Sequence, residues 1–223
     1  MPSKIFLYIV IALIIIISRF ETIGVVFRSL NTLIHELGHA IIAIILGGKV
    51  GKIKLNDNAS GSCSTSSKGS FKSFLIASAG YLFCAIFSYF IFYSIGKTWN
   101  QYIFWALLII SCLSLIFWIR NTYGIIWTIA FASINFGLIL IPNAIINYSS
   151  YILLILGLLI SLENIFGCSI LLKISIFDSK KAGDATNMAK LTKIPAFVWA
   201  SGFLAFSIWM SYISFKEFYP LFQ

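Results

Sequence analysis

The stretch His35-Glu36-Leu37-Gly38-His39 places two imidazoles and a carboxylate within an apolar part of the chain. Residues four positions apart on a helix lie on one face, about one turn from each other. His35 and His39 can therefore present ring nitrogens to one metal ion, with Glu36 beside them as a base toward a metal-bound water. The chain has 2 histidines, and both belong to this stretch. The spacing predicts a catalytic zinc site on a helix; the alternative is a metal-free pair of hydrogen-bonded histidines.

The composition indicates a membrane protein. Of the 223 residues, 60% are hydrophobic and 10% are charged, whereas soluble domains carry roughly 25% charged residues. Histidine and glutamate are costly inside apolar helices, which makes the cluster a candidate functional site. The net charge of +9 is typical of cytoplasmic loops, and no nucleic-acid partner is expected. The 4 cysteines form no C-x-x-C pair, which argues against a zinc knuckle. We expect one membrane-embedded domain over residues 1–223, with the lipid bilayer as its surroundings.

Apolar segments of about 20 residues predict the transmembrane helices. The motif helix is expected at about residues 22–47, where Gly47-Gly48 ends it. A shorter apolar run, residues 5–18, precedes it. The later spans are expected at residues 71–95, 99–119, 124–141, 151–172 and 195–215. The predicted fold is all-α and polytopic, with about seven transmembrane helices, or six if the first is not a full span.

Residues 49–72 form a polar stretch between the motif helix and the next span. Apolar residues alternate there with lysines, and Asn56-Asp57-Asn58 followed by Ser60-Gly61-Ser62 supplies turn residues. This pattern predicts a small hairpin or loop at the membrane surface. One interpretation is that it lies along the active-site cleft and pairs with an extended substrate strand. An ordinary solvated loop is the alternative.

The distribution of lysine and arginine predicts the orientation. With seven spans, 12 of the 16 basic residues fall on the N-terminal side of the membrane and 4 on the other. Basic residues concentrate in cytoplasmic loops. We therefore expect a multi-pass protein of the cell membrane, inner or plasma, with a cytoplasmic N-terminus.

A catalytic zinc normally has three protein ligands, so one is missing from the motif. Glu163 is the only acidic residue in the predicted spans after the motif helix. At 1.5 Å per residue, His39, Glu163 and His35 lie about 12, 15 and 18 Å from the cytoplasmic face. Glu163 is therefore the predicted third metal ligand. Asp184, in a cytoplasmic loop, is a second candidate, although the position favours a helix cap at Ala185.

This chemistry suits hydrolysis of a peptide bond. Zinc lowers the pKa of a bound water and polarises the scissile carbonyl. Glu36 would take a proton from the water and pass it to the leaving nitrogen. Because the site lies roughly 15 Å deep, a polar cleft must admit water and substrate.

Further landmarks follow the motif in a fixed order. They are Ala40, Gly47-Gly48, Ala79-Gly80-Tyr81-Leu82, Arg120-Asn121, Gly124, Asp184-Ala185, the segment 191–195 and Trp199. Together they resemble the site-2 protease superfamily of intramembrane zinc metallopeptidases, in its short branch without a PDZ domain. The resemblance implies His35 and His39 as zinc ligands and Glu36 as the catalytic acid/base. Members of the superfamily supply the third ligand from a Leu-Asp-Gly motif, which is absent here. The nearest match is Leu162-Glu163-Asn164, so Glu163 or Asn164 would occupy the acidic position.

Two functions are compatible with the sequence. The first is an intramembrane zinc protease that cuts a membrane-anchored protein or peptide. The second is a proteolytically inactive protein of the same fold that binds or chaperones other membrane proteins, and the missing Leu-Asp-Gly motif motivates it. A transporter is disfavoured, because the chain has no internal repeats and no paired broken helices.

Overall fold

Helices dominate the architecture. The computed structural model describes residues 4–218, without the side chains of residues 4, 142–147 and 217, so the ends of the predicted domain 1–223 lie outside the described residues. The elements are α1 (Lys4–Ser18), α2 (Ile23–Ile45), β1 (Lys49–Leu55), β2 (Gly61–Ser66), α3 (Ser70–Gly96), α4 (Asn100–Phe117), α5 (Thr122–Leu140), α6 (Pro142–Phe177), α7 (Gly183–Thr192) and α8 (Ala196–Phe218). A short 3-10 turn at Ser179–Lys181 joins α6 to α7.

Among residues 4–218, five helices are long and apolar enough to cross a bilayer. They are α3, α4, α5, the Tyr148–Phe177 part of α6, and α8. The pair α1 and α2 makes a sixth candidate, bent by 100° at its break. The predicted all-α polytopic fold is therefore confirmed, with five or six candidate spans. Within residues 4–218, α1 and α2 qualify together as one bent pair, which agrees with the count of six expected if the first apolar run is not a full span.

The bend between α1 and α2 depends on a glycine and an ion pair. A Cβ atom on Gly24 would lie 2.5 Å from the Ser18 carbonyl oxygen, so only glycine lets the chain turn this tightly. Arg19, at the bend, donates a hydrogen bond to the Glu163 carboxylate of α6 and lies over the Phe166 ring. The bend is thus fastened to the middle of a transmembrane helix.

The core sits where α2, α3, α6 and α8 pack together. Gly38 lets α2 approach α3 closely, since a Cβ there would be 2.7 Å from the Phe83 Cβ and 2.9 Å from the Ala79 carbonyl oxygen. Apart from this core, a smaller apolar cluster joins α7 to α8 through Ala185 and Met188. Burial of these two side chains fixes α7 against the bundle.

The predicted hairpin is present and joins the bundle through β1. Strands β1 and β2 are antiparallel, with Ile53 opposite Cys63 and Leu55 opposite Gly61. On its other edge, β1 receives the end of α4, because the Ile53 N–H donates to the Trp118 carbonyl oxygen over 2.9 Å. Asn121 bonds both the N–H and the carbonyl of Leu55. Within residues 4–218, β2 pairs with β1 alone, so its outer edge is open.

Candidate metal centre and cleft

Helix α2 brings the two motif histidines together as the spacing predicts. The Nε2 atoms of His35 and His39 are 3.1 Å apart. The Nδ1–H of His39 donates to the Ile76 carbonyl oxygen of α3 over 2.6 Å. Such a bond fixes the imidazole tautomer and leaves Nε2 available to a metal.

Asp184 supplies the carboxylate that faces these nitrogens. Its Oδ2 atom lies 3.2 Å from His35 Nε2 and 3.3 Å from His39 Nε2. Ligand atoms about 2.1 Å from a tetrahedral zinc are about 3.4 Å from one another. Two imidazole nitrogens and one carboxylate oxygen at these separations fit a zinc ion with a fourth position left for water or substrate.

Gly80 of α3 makes room for the cluster. A Cβ atom at this position would lie 2.5 Å from His35 Nε2 and 2.6 Å from His39 Nε2. Any side chain on residue 80 would therefore enter the space where the ligand atoms converge. This explains in physical terms why glycine stands in the Ala79-Gly80-Tyr81-Leu82 segment.

Glu163 does not join the histidines. Its carboxylate, buried in α6, is paired with Arg19, and the described cluster of potential ligands contains His35, His39 and Asp184. Asn164 also points elsewhere, since its amide donates to the Tyr81 carbonyl and to the Ser207 hydroxyl. The predicted depth of Glu163 takes no account of the direction in which its side chain points. The structure thus corrects its expected position.

The helix cap predicted at Asp184 is also not found. Asp184 lies inside the first turn of α7, which begins at Gly183, and its carboxylate contacts the histidines instead. Burial alone would raise its pKa, but the hydrogen bonds and charges of His35 and His39 outweigh burial and hold the pKa of Asp184 well below its usual range. A lowered pKa favours the ionised form of the carboxylate, which is the form that can bind a metal.

Glu36 lies next to the cluster and beneath β2. Its side chain is 6% exposed. Gly61 lets the strand approach, because a Cβ there would be 2.5 Å from Glu36 Oε1, and the backbone N–H of Cys63 lies beside the same carboxylate. Burial first, and then the charges of Glu36 and Asp184, raise the pKa of the Cys63 thiol to about 12.

An open cleft of about 730 Å³ surrounds these groups. Its floor contains His35, Glu36, His39 and Asp184, and one wall is β2 with the serine that follows it. Ser73 of α3 and Asn187 of α7 add polar groups to a lining that is about half polar and half apolar. Water can therefore reach the bottom of the cleft, as the buried position of the motif requires.

Comparison with protein families extends over nearly the whole chain. Residues 6–214 match the family model described as Peptidase M50B-like. The chain belongs to this family, the site-2 protease family. The resemblance inferred from the landmarks is confirmed, and no PDZ domain is found in the residues that the structure describes. The family is one of site-2 protease-type intramembrane metallopeptidases, and the chain is a multi-pass integral membrane protein. Neither the curated proteins nor the solved structures yielded a significant match.

The sequence favours Glu163 over Asp184 as the third metal ligand, because it does not reveal which carboxylate lies near the histidines in space. Asp184 is far from the motif in sequence, and only the packing of α7 on the bundle brings it to the histidines. One signal was available: Asp184-Ala185 was among the landmarks shared with the family. In α7, Ala185 and Met188 are buried while Asp184 stays partly exposed and lines the cleft, which gives that landmark its structural meaning.

Proposed function

We propose that the protein is an intramembrane zinc metallopeptidase that hydrolyses a peptide bond in or near a transmembrane segment of a membrane-anchored protein or peptide. The observation that carries this proposal is the convergence of His35, His39 and Asp184 beside Glu36 at the bottom of a water-accessible cleft. The family membership supports the same activity.

His35, His39 and Asp184 would hold the metal through two nitrogens and one oxygen. A zinc ion bound there would supply Lewis-acid polarisation of the scissile carbonyl and make a water easier to deprotonate. Glu36 is the base that removes a proton from the attacking water and returns it to the leaving nitrogen. Its position beneath β2, and not among the ligand atoms, leaves its carboxylate free for this transfer.

Strand β2 is suited to hold the substrate in an extended form. One edge is paired with β1, while its residues Gly61, Cys63 and Thr65 line the cleft. A substrate segment that has lost its helical hydrogen bonds needs new backbone partners in a water-poor region. The open edge of β2 offers these partners, and the hairpin expected along the cleft takes this role in our proposal.

The first test is zinc content, measured by inductively coupled plasma mass spectrometry on detergent-purified protein. We expect about one zinc per chain in wild type, from a site with one metal and three protein ligands. Removing a ligand in His39→Ala or Asp184→Asn should weaken zinc binding by more than the roughly 10–100-fold that loss of an outer-shell partner costs. Glu163→Gln is the control and should retain zinc, since its carboxylate lies elsewhere. Zinc lost in Glu163→Gln but kept in Asp184→Asn would contradict the ligand set.

The second test is proteolysis in liposomes. Single-span reporter proteins are reconstituted with wild type or with Glu36→Gln, and the products are mapped by mass spectrometry. We expect cleavage in or near the reporter span by wild type alone. Wild-type protein that holds no zinc and leaves the reporters intact would instead favour the proteolytically inactive protein that binds or chaperones membrane proteins.

A further inference from the structure

A second cavity lies at the end of the bundle, between α6, α7 and α8. Its volume is about 620 Å³. It opens where the candidate span of α6 ends at Phe177 and that of α8 begins at Ala196. Both helices pass from the apolar region to water at this level. The cavity therefore lies at the depth of the lipid headgroups.

The polar part of the cavity is positively charged. Lys180, Lys190 and Lys193 line it, and no acidic residue is among its described lining residues. The nearby acid Asp178 is already paired with Lys181, 2.8 Å away. None of the three lining lysines forms a salt bridge within residues 4–218. The cavity thus collects three ammonium groups without internal neutralisation.

The start of α8 adds to this positive potential. Pro195 and Ala196 line the cavity, and the first N–H groups of a helix have no carbonyl acceptors within it. In a helix of 23 residues, these groups and the helix dipole favour an anion at the N-terminus. This contribution is added to the lysines and would not by itself define a site.

The rim of the cavity is apolar. Ile176, Ile194 and Phe197 line it and are 60%, 40% and 47% exposed. A purely aqueous anion would gain nothing from these side chains. A molecule with an anionic head and hydrocarbon chains would satisfy both the lysines and the rim.

We infer that this cavity binds the headgroup phosphate of an anionic phospholipid, with the acyl chains lying against Ile176 and Phe197. Juxtamembrane lysines each contribute about 1 kcal/mol to binding at an anionic membrane surface, or roughly fivefold in affinity. The site is separate from the peptidase cleft, although Lys190 lies between the two and lines both.

The test is native mass spectrometry of the full chain in a neutral detergent, with phosphatidylglycerol or phosphatidylcholine of the same acyl chains added. We expect wild type to retain phosphatidylglycerol about tenfold better or more. The variant Lys180→Gln/Lys193→Gln leaves the peptidase cleft untouched and should lose this preference by on the order of tenfold.

A matched control separates a site from diffuse charge. Lys52→Gln/Lys54→Gln removes the same charge from exposed positions of β1 and should keep the preference. Equal retention of the two lipids by wild type, or an equal loss in both double variants, overturns the proposal. Millimolar inorganic phosphate is added in a third arm. Complete displacement of the lipid by phosphate would show a site for the free anion and would overturn the lipid assignment.

Discussion

Gly80 contributes no ligand, but the proposed metal site depends on it because it leaves room for the two imidazole rings. In Gly80→Ala, the new methyl group would press on the ring ends of His35 and His39. The His39 ring can rotate away only by breaking its hydrogen bond with the Ile76 carbonyl oxygen, and the two rings then cease to converge. We expect zinc binding to weaken by about 100-fold, with a loss of about 1 kcal/mol in the free energy of unfolding from the broken hydrogen bond. Zinc titration and thermal unfolding in detergent measure the two quantities.

Gly137→Ala is the control for this change, because a Cβ at residue 137 of α5 meets no atom within 4 Å. It should bind zinc like wild type. Wild-type zinc affinity in Gly80→Ala would show that the ligand atoms do not converge where the structure places them.

Cys63 gives a chemical test of the charges at the bottom of the cleft. With a pKa of about 12, its thiolate fraction at pH 8 is about 10³-fold below that of an ordinary cysteine. In chelator-treated protein, we expect iodoacetamide to label Cys63 slowly, with a rate that rises tenfold per pH unit from pH 7 to 10. Glu36→Gln removes one of the negative charges, so it should lower the pKa and speed the reaction. Peptide mapping by mass spectrometry measures the rate, and a plateau below pH 9 would contradict this account.

At the residue scale, the local part of the site could be predicted and the distant part could not. The spacing of His35 and His39 follows from helix geometry alone. Depth along a helix was also available from the sequence, and it selected Glu163. The direction around the helix axis was not available, because it depends on which neighbours α6 packs against. The bend between α1 and α2 brings Arg19 to Glu163. The two side chains form an ion pair, so the carboxylate predicted to bind the metal is already paired.

At the element scale, the Arg19–Glu163 pair fastens the α1–α2 bend to α6. Glu163→Gln removes the partner of a guanidinium that is 38% exposed, so the penalty is smaller than the 3–5 kcal/mol of a fully buried pair. We expect a loss of roughly 1–3 kcal/mol in the free energy of unfolding. The double variant Arg19→Met/Glu163→Met should recover most of it, since it leaves no unpaired charge. Thermal and denaturant unfolding in mild detergent measure both.

An exposed ion pair serves as the comparison. Lys181→Gln breaks the pair with Asp178, in which the side chains are 80% and 45% exposed, and should leave stability almost unchanged because water screens an exposed pair. If Glu163→Gln were as mild as Lys181→Gln, the pair would not hold the bend.

The long helices and the hairpin could be predicted because their signals are continuous along the chain. Runs of about 20 apolar residues define spans without tertiary information, and the segment Asn-Asp-Asn-Ala-Ser between β1 and β2 is rich in turn-forming residues. The bend could not be predicted. No proline marks it, and its main determinant, Gly24, acts through a close approach to Ser18 that only the folded backbone reveals.

On the scale of the whole molecule, the number of spans affects the predicted side of the N-terminus. It does not affect the predicted side of the cleft. Residues 49–72, Arg120 and residues 173–193 carry 11 of the 16 basic residues, and these three parts of the chain lie on one side with either six or seven crossings. Only the side of the N-terminus changes when α1 and α2 count as one broken span. The positive-inside tendency therefore predicts, in both cases, that the hairpin and the cleft lie at the cytoplasmic face.

This orientation can be tested with single introduced cysteines and a membrane-impermeant maleimide. Lys52→Cys in β1 and Lys180→Cys beside α7 should react in inverted vesicles and not in intact cells, because both lie on the lysine-rich side. Lys97→Cys, at the other end of the α3 span, should react in intact cells. Wild type gives the background from the native cysteines, which is expected to be low for Cys63 because its thiol is protonated at neutral pH.

The reverse labelling pattern would place the cleft on the outer face. Labelling of Lys52→Cys and Lys180→Cys from opposite sides would contradict the span count between them, since α3, α4, α5 and α6 return the chain to the side on which β1 lies.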